Sequence, residues 1–503
     1  MENIGFEIWD EGLPVGWTKI VNGGQSTSVS MESSIISEGS RSVKISDAAP
    51  RLGIQQECSE KHVRFSAYPV NGKAAISFVR ENGCSSSFSN PVLLQEDFTR
   101  SNGIQTTTIR CSHGIRLDNG DYIDILSGAS GYELSTEGEV YIKRNGGEPT
   151  LFRDDEAVRN WPWAKVVDLG DKYTWINMRL FSGMVMKIYA TDINRDFTVQ
   201  SNDRLIFEKQ NHDIQAYNVL IHSSGRIIIP IVYAESPYIM TGPWYLDILY
   251  SDNNLQTVQL LNQPQTYTGR GLMEPHPVEL SDGKVAILCR TNQQYMARVD
   301  YDLTENTVTT PALIDIQQPE SGAYAINLHN GDILLCWVTG AGADSARYNI
   351  ALAISSDDMN TWHSYHTIAV KEAFDAQFPG LSFIHQPSVY EDFVDGIYRL
   401  IVYFEAVISS TLIKQLKCES DNFIMPNIAN ENNKWQPIQG ICNADTAYVQ
   451  LINVFKYGVC YFDDGLEKPL DLNIYVYSDG QIISLPLTLA DGDEVDELFV
   501  FKN

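Results

Sequence analysis

"GLMEPHPVELSDGKVAILCR", residues 271–290, reads as a single β-hairpin. Two short apolar runs flank "SDG", and Gly283 is the residue able to take the left-handed backbone that such a turn needs. Two charges interrupt this otherwise buried pattern: Glu274 stands before the first strand and Arg290 ends the second. The turn decides whether they meet. A three-residue "SDG" loop pairs Leu280 with Lys284 and sets Glu274 opposite Arg290. A two-residue "DG" loop puts Thr291 there instead and sends the charges to opposite faces. Both registers are open on sequence alone.

The same strand, turn and strand recur along the chain in "WINMRLFSGMVMKIYA", "YNVLIHSSGRIIIPIVY", "YAINLHNGDILLCWV" and "PSVYEDFVDGIYRLIVYF". Their turn glycines, with Gly283, are Gly183, Gly225, Gly331 and Gly396, spaced 42, 58, 48 and 65 residues apart. Such spacing suits four-stranded propeller blades with variable loops. A second mark keeps phase with the first: "DINRDFTV", "SDNNLQTV", "YDLTENTV" and "SSDDMNTW" each end in Thr followed by Val or Trp. Helical periodicity is scarce throughout. The chain is therefore all-β, and residues 148–435 are predicted to form a β-propeller, for which six blades are expected.

Composition limits the partners. Across 503 residues, 36 basic and 64 acidic side chains leave a formal charge of −28, which repels phosphate backbones and makes nucleic acid an unexpected partner. No run of 18 apolar residues exists, so no helical membrane insertion is expected. The opening "MENIGFEIWDEG" lacks the basic leader and apolar core of a signal peptide. An extracellular, cell-surface or virion setting is expected, with the leader removed or export by another route. The eight cysteines are scattered without a CxxC pair, which favours small apolar strand residues over a metal or redox site. No cofactor is expected.

With the turn glycine as anchor, the position of Glu274 is Thr174, Ala216 and Gly322 in three other blades, and that of Arg290 is Ala190, Val232 and Val338. Only one blade carries charge at both places. "SSDDMNTW" (355–362) resembles the Asp box of sialidases and related propellers, matching it at Ser355, Asp357, Thr361 and Trp362, with Met359 in place of its glycine. "EPHPVELSDGKVAILCR" is similar to the sialidase hairpin in which a Glu precedes "xVELxDGxL" and an Arg ends the second strand. The resemblance implies a glycan-active fold in which Glu274 activates a tyrosine nucleophile and Arg290 belongs to an arginine triad gripping a substrate carboxylate. Arg347, ahead of the box-like turn, is placed like a second triad member, and Arg179 in "NMRLFSG" is the best match to the remaining one.

The departures from that pattern are as informative. The tyrosine slot falls in "SFIHQPSVYEDFVDG", where the best match is Gln386 beside His385, and neither replaces a glycosyl nucleophile. Tyr390 and Tyr403 are near in sequence but out of place by the hairpin count. For proton transfer the candidates are Asp192, Asp213, His212 and His276. Two readings follow: a glycoside hydrolase of the sialidase-like superfamily acting on terminal sugars, or a non-catalytic glycan receptor such as a phage tail fibre or adhesin. Carbohydrate is the partner in both. A homo-oligomer would suit a fibre, although no coiled-coil heptads support it.

Residues 1–147 differ in texture. "GFEIWDEGLPVGW" and "SEGSRSVKI" resemble the opening of jelly-roll carbohydrate-binding modules, which implies a β-sandwich there and makes Glu7 a candidate for holding a structural Ca²⁺. Residues 436–503 give further hairpins, expected to form a small C-terminal β-domain or to complete the last blade.

Overall fold

The computed structural model describes residues 88–99 and most of 103–420. Stretches such as 130–138, 155–164, 235–241 and 340–346 lie outside it, and only isolated strands are described between 9 and 67 and between 448 and 501. The expected N-terminal jelly roll with Glu7, and the C-terminal β-domain, therefore fall outside the described residues. Within them, almost every element is a strand. Among the described residues no helix is long and apolar enough to cross a membrane.

Six four-strand antiparallel units follow one another. The first comprises Thr108–Arg116, Tyr122–Ala129, Glu139–Arg144 and Thr150–Asp154. The second comprises Lys165–Asp168, Tyr173–Phe181, Val185–Ile193 and Arg204–Glu208. In the third, Asp213–Ala216 and Leu220–Ile221 form a broken first strand, followed by Ile227–Ala234, Trp244–Ser251 and Gln259–Leu260. The fourth has Met273–Glu279, Val285–Arg290 and Tyr295–Asp302, whose outer edge is shared by Thr307–Val308 and Ala312–Gln317. The fifth runs Ala323–Asn327, Ile333–Thr339, Asn349–Ser355 and His363–Val370. Phe383–Val394, Ile397–Ser409 and Leu412–Glu419 begin the sixth, and its fourth strand comes from the other end of the ring: Val92–Leu93 pairs with Leu416 and Lys417.

Contacts run from each unit to the next and from the sixth back to the first, so the sheets form a closed ring. Each of the six wedges between neighbouring sheets holds its own apolar cluster. Strands such as "IIIPIVYA" (227–234) are apolar along their whole length because both faces are buried between neighbours. This radial packing of short sheets is a β-propeller.

Two expectations are corrected. The boundary at 147/148 cuts through a hairpin, since Ile142 pairs with Thr150, and the ring begins about sixty residues earlier with the strand from the first unit's flank. Gly183 is also out of phase. It lies between the second and third strands of its unit, and the turn between the first and second strands is at Gly170. Gly120, Gly170, Gly225, Gly283 and Gly331 share one role, each with φ between 78° and 90°. Hence Thr174 and Ala190 are not the counterparts of Glu274 and Arg290. The short first strand Lys165–Asp168 hid the true phase, because the longer apolar hairpin after it read as the inner pair.

The turns at 251–257 and 355–361 are wired alike. Ser251 and Ser355 hydroxyls accept backbone N–H bonds from Leu255 and Met359, and Asn253 and Asp357 accept from the N–H of Thr257 and Thr361. Leu255 and Met359 take positive φ, 60° and 66°, and turn buried side chains into the wedges.

Phe88 is fully buried in the wedge between the fifth and sixth sheets, and its backbone bridges Ser420 just before the closing strand. Phe88→Ala is expected to cost about 3–5 kcal/mol, read as a lower urea midpoint for loss of the β-sheet signal.

Candidate functional site

The turn settles the register. Leu280 N–H donates to the Lys284 carbonyl at 2.8 Å and Gly283 N–H to the Leu280 carbonyl at 3.0 Å, which is the three-residue loop with Gly283 left-handed. Pairing then runs regularly from Glu279↔Val285 to His276↔Leu288 before slipping, so that Met273 faces Arg290. The slip is a bulge at Glu274-Pro275, where proline offers no N–H to the ladder and Glu274 takes φ 48°. The bulge does not separate the charges: Arg290 Nη1 donates to Glu274 Oε1 at 2.8 Å.

Two units further round, Gln386-Pro387 repeats this device. Pairing slips between His385↔Glu405 and Ser388↔Tyr403, and Gln386 also has φ 48°. The two bulged side chains meet across the ring, Gln386 Nε2 donating to Glu274 Oε1 at 3.2 Å. Gly322 lies between them. A Cβ there would collide with Glu274 Oε2 and fall 3.0 Å from Gln386 Oε1, so only glycine leaves room for both. Glu274 is 5 % exposed, and its Oε2 has no hydrogen-bond partner among the described residues. A buried carboxylate thus has one oxygen held by two donors and the other left over. Non-glycine residues in left-handed backbone cost about 1–3 kcal/mol each and cluster at functional sites. Glu320, two residues before Gly322, is a third here, with φ 47°.

Beside this cluster runs a buried chain of charge. Arg347 Nη2 donates to the Glu320 carbonyl at 2.8 Å, and its Nη1 lies 3.1 Å from His385 Nδ1. A guanidinium only donates, so Nδ1 must accept, which puts the imidazole proton on Nε2, 2.9 Å from Glu405 Oε2. Arg110 completes the chain, its Nε 3.1 Å from Glu405 Oε1 and its Nη2 3.2 Å from Oε2. Burial raises the Glu405 carboxyl, but Arg110, His385 and Arg347 more than offset it and hold it below its ordinary range. Burial also keeps His385 below the usual imidazole range, the neighbouring guanidinium groups adding to this against the pull of Glu405.

Of the residues singled out in the sequence, Glu274, Arg290 and Gln386 meet directly, and Arg347 and His385 lie in the adjoining chain. His276 is buried beside Tyr324, with ring centroids 4.8 Å apart, and burial with Lys165 pushes its pKa down to about 3. It is uncharged at neutral pH, which corrects the expectation of an acid poised to give up a proton. Asp213 begins the third unit's first strand and Arg179 lies on the second strand of its unit; the side chains of both lie outside the described residues, as does His212. Asp192 is spent on structure: despite burial, Arg204 and Lys172 draw its pKa down to about 2. Tyr403 donates instead to Asp124, beside Tyr122. Arg110 was missed. It lies in "TIRCSHGIRLDNGDY", ten residues before Gly120, as Gln386 lies ten before Gly396, and only the misplaced domain boundary hid the match.

Residues 183–390, running from the second unit into the sixth, match the model of the BNR repeat-like domain family. Over those residues the ring is similar to BNR repeat-like domains. Solved structures similar to it include the Trypanosoma rangeli sialidase, 12 % identical with a TM-score of 0.45, the match covering 65 % of this chain and 59 % of that one. A point mutant of NanB sialidase from Streptococcus pneumoniae is 14 % identical with a TM-score of 0.46, covering 66 % and 71 %. A protein of unknown function from Dyadobacter fermentans is 12 % identical with a TM-score of 0.47, covering 69 % and 98 %. The chain thus spans about six tenths of the length of the T. rangeli sialidase. Among curated proteins nothing matches.

Two predictions concern the stability of this propeller. Gly322→Ala drives a methyl group into Glu274 and is expected to cost about 1–3 kcal/mol, seen as a lower denaturation midpoint. The second concerns acid. His276 is depressed in the fold, so the unfolded chain binds a proton first as pH falls; the stability it contributes is complete above pH ~6.5 and is lost below that. His385 and Glu405 act in the same direction. Urea unfolding should show stability falling from pH 7 to 5, with about 2 kcal/mol of the fall removed by His276→Leu.

Proposed function

We propose that this protein acts on glycans at the hub of its propeller, as a glycoside hydrolase of the sialidase-like kind that works without a tyrosine nucleophile. The observation carrying this reading is the buried, unpartnered Oε2 of Glu274. Were the ion pair with Arg290 only a tie between strands, both carboxylate oxygens would be expected to find donors, because a buried acceptor left unpaired costs about 1–3 kcal/mol. Here Arg290 and Gln386 both hold Oε1, which fixes the carboxylate plane and seats Oε2 over Gly322, in space that a side chain there would take.

In this reading Glu274 Oε2 takes a proton from the attacking water, and Gln386, an amide, orients Glu274 rather than attacking the sugar. Attack by water implies inversion at the anomeric carbon, with the second carboxyl about 6.5–9.5 Å from the first. Arg347 belongs to the same proposal as a group that holds the substrate, its geometry set by His385 and the Glu320 carbonyl. The expected extracellular, surface or virion setting is where such glycans occur. A second reading, a glycan receptor, is favoured by Gln386 itself, since an amide in the nucleophile's slot can hold a sugar hydroxyl but cannot form a glycosyl intermediate.

The test is a glycan panel with the product anomer read by NMR. Turnover with inversion, lowered at least ~10³-fold in Glu274→Gln, supports the hydrolase. Glycan binding by the wild type with no turnover replaces it with the receptor, and the absence of any binding sinks both.

A further inference from the structure

Residues 318–322, "QPESG", enter the fifth unit's first strand and join groups from several places at the hub. Gly322 packs against Glu274 and Gln386. The Glu320 carbonyl accepts from Arg347 Nη2 at 2.8 Å. Gln318 reaches back to the fourth unit, its Nε2 donating to the Thr291 carbonyl at 2.7 Å, one residue beyond Arg290, while its Oε1 accepts from the Ser321 N–H at 2.6 Å. The segment thus runs from the Glu274 carboxylate to Arg347 and helps to set how far apart they stand.

Glu320 is held where its own backbone resists. Its φ of 47° is a conformation that glycine adopts freely and that costs another residue about 1–3 kcal/mol. A segment that needed only the bend would be served better by glycine. What glutamate adds is a carboxylate, and it goes to Arg270, whose Nη1 donates to Oε1 at 2.6 Å. Arg270 is fixed in turn: its N–H donates to Asn292 Oδ1 at 3.2 Å and its carbonyl accepts from the Trp244 N–H at 2.8 Å. Gly242 and Gly269 clear the space around it, since a Cβ at the first would collide with the Arg270 backbone and one at the second with Asn292. Arg270 stands four residues before Glu274, so the ion pair joins the segments that enter the fourth and fifth units' first strands.

We propose that Arg270 and Glu320 are positioning residues of the glycan site: their ion pair holds the bend from which the Glu320 carbonyl orients Arg347, the group assigned to hold the substrate. The proposal rests on the glycan reading above and adds what controls its clamp. An ion pair at a surface contributes little when both partners are free to move. Here the arginine backbone is built in on both sides and the glutamate carries strain, so the pair acts on the backbone between them. Without it the bend is free to relax toward right-handed backbone, which turns the Glu320 peptide and carries its carbonyl away from Arg347. A misplacement of about 1 Å in a group that positions substrate costs up to about 10²-fold. The pair uses one N–H of the guanidinium rather than its fork, so a lysine at position 270 can stand in for it.

The experiment labels the arginines of the wild type, Arg270→Gln, Arg270→Lys and Glu320→Gln with phenylglyoxal, reads the rate at each by peptide mass spectrometry, and measures binding of the same proteins to the glycan panel. Arg298, held by Asp300 on the third strand of the fourth unit, is the internal reference. Glu320→Gln removes only a charge and keeps the carbonyl, so it reports even if Arg270→Gln fails to fold. In the two glutamine variants Arg347 is expected to label at least about fivefold faster, with Arg298 unchanged, and glycan affinity to fall about tenfold. Arg270→Lys is expected to keep both near the wild type. An unchanged Arg347 rate, a rate that rises in step with Arg298, a lysine variant that behaves like the glutamine ones, or faster labelling with unaltered glycan affinity each overturns the positioning role and leaves the glycan reading standing. The expected labelling pattern with no glycan bound by the wild type upholds the hold of Arg270 and Glu320 on Arg347 and removes the glycan reading. Neither the labelling pattern nor any binding removes both.

Discussion

No sheet of the ring has a core of its own. Each is short, strongly apolar on both faces and stable only when wedged between two neighbours, so the apolar clusters alternate with the sheets around a ring. An open arc would leave two faces of that kind in water, and at roughly 25 cal/mol per Å² of apolar surface such exposure is comparable to the whole stability of a domain. The ring must therefore close, and it closes by a strand exchange: the segment before the first unit supplies the outer strand of the sixth. Phe88 seals the wedge behind that strand. Everything at the hub depends on this closure, because the residues there come from different sheets, which the wedges hold in place.

Closure brings first strands together, and regular first strands would present only alternating side chains to the axis. The two Xaa-Pro bulges change this. At Glu274-Pro275 and Gln386-Pro387 the proline removes a ladder donor, the preceding residue swings into left-handed backbone, and a side chain that would otherwise follow the strand's alternation is aimed across the ring. Between them Gly322 keeps the intervening strand bare. Strain at two positions and an absent side chain at a third together position one carboxylate.

The sequence disclosed more of this than of the ring's extent. Turn glycines and the phased Thr-Val or Thr-Trp endings carry the propeller because every sheet repeats one local turn problem, and the three-residue loop brings Glu274 and Arg290 to the same end of the hairpin, although the bulge makes Met273 the ladder partner of Arg290. What stayed hidden was non-local. The strand that closes the ring is two residues long, and nothing in "PVLLQ" says that its partner lies more than three hundred residues away. The second unit's first strand has four residues, so the longer hairpin after it took its place in the comparison and set Arg179 out of phase with the other units. Arg110 then fell on the wrong side of an assumed boundary. The bulges themselves were visible as "EPHP" and "QPSV", but their meaning required knowing that the two strands face one another across the axis.

Gln386 also shows why chemistry cannot be carried over from geometry by resemblance alone. The hub keeps an acid, guanidinium groups and the hairpin that presents them, yet the group opposite the acid is an amide whose N–H binds Glu274 rather than a phenol from which Glu274 could take a proton. The polarity of that contact is reversed. A carboxylate that accepts from its neighbour is being oriented, not used as a base toward it, so its remaining oxygen is the one left to act on something that enters from outside. The amide thereby leaves a fixed acceptor at the hub, and a fixed, buried acceptor packed over Gly322 is as well suited to gripping a hydroxyl as to polarising a water. Which of these it does depends on where the second proton-transfer group stands, and His276, uncharged and turned toward Tyr324, is not placed to be that group.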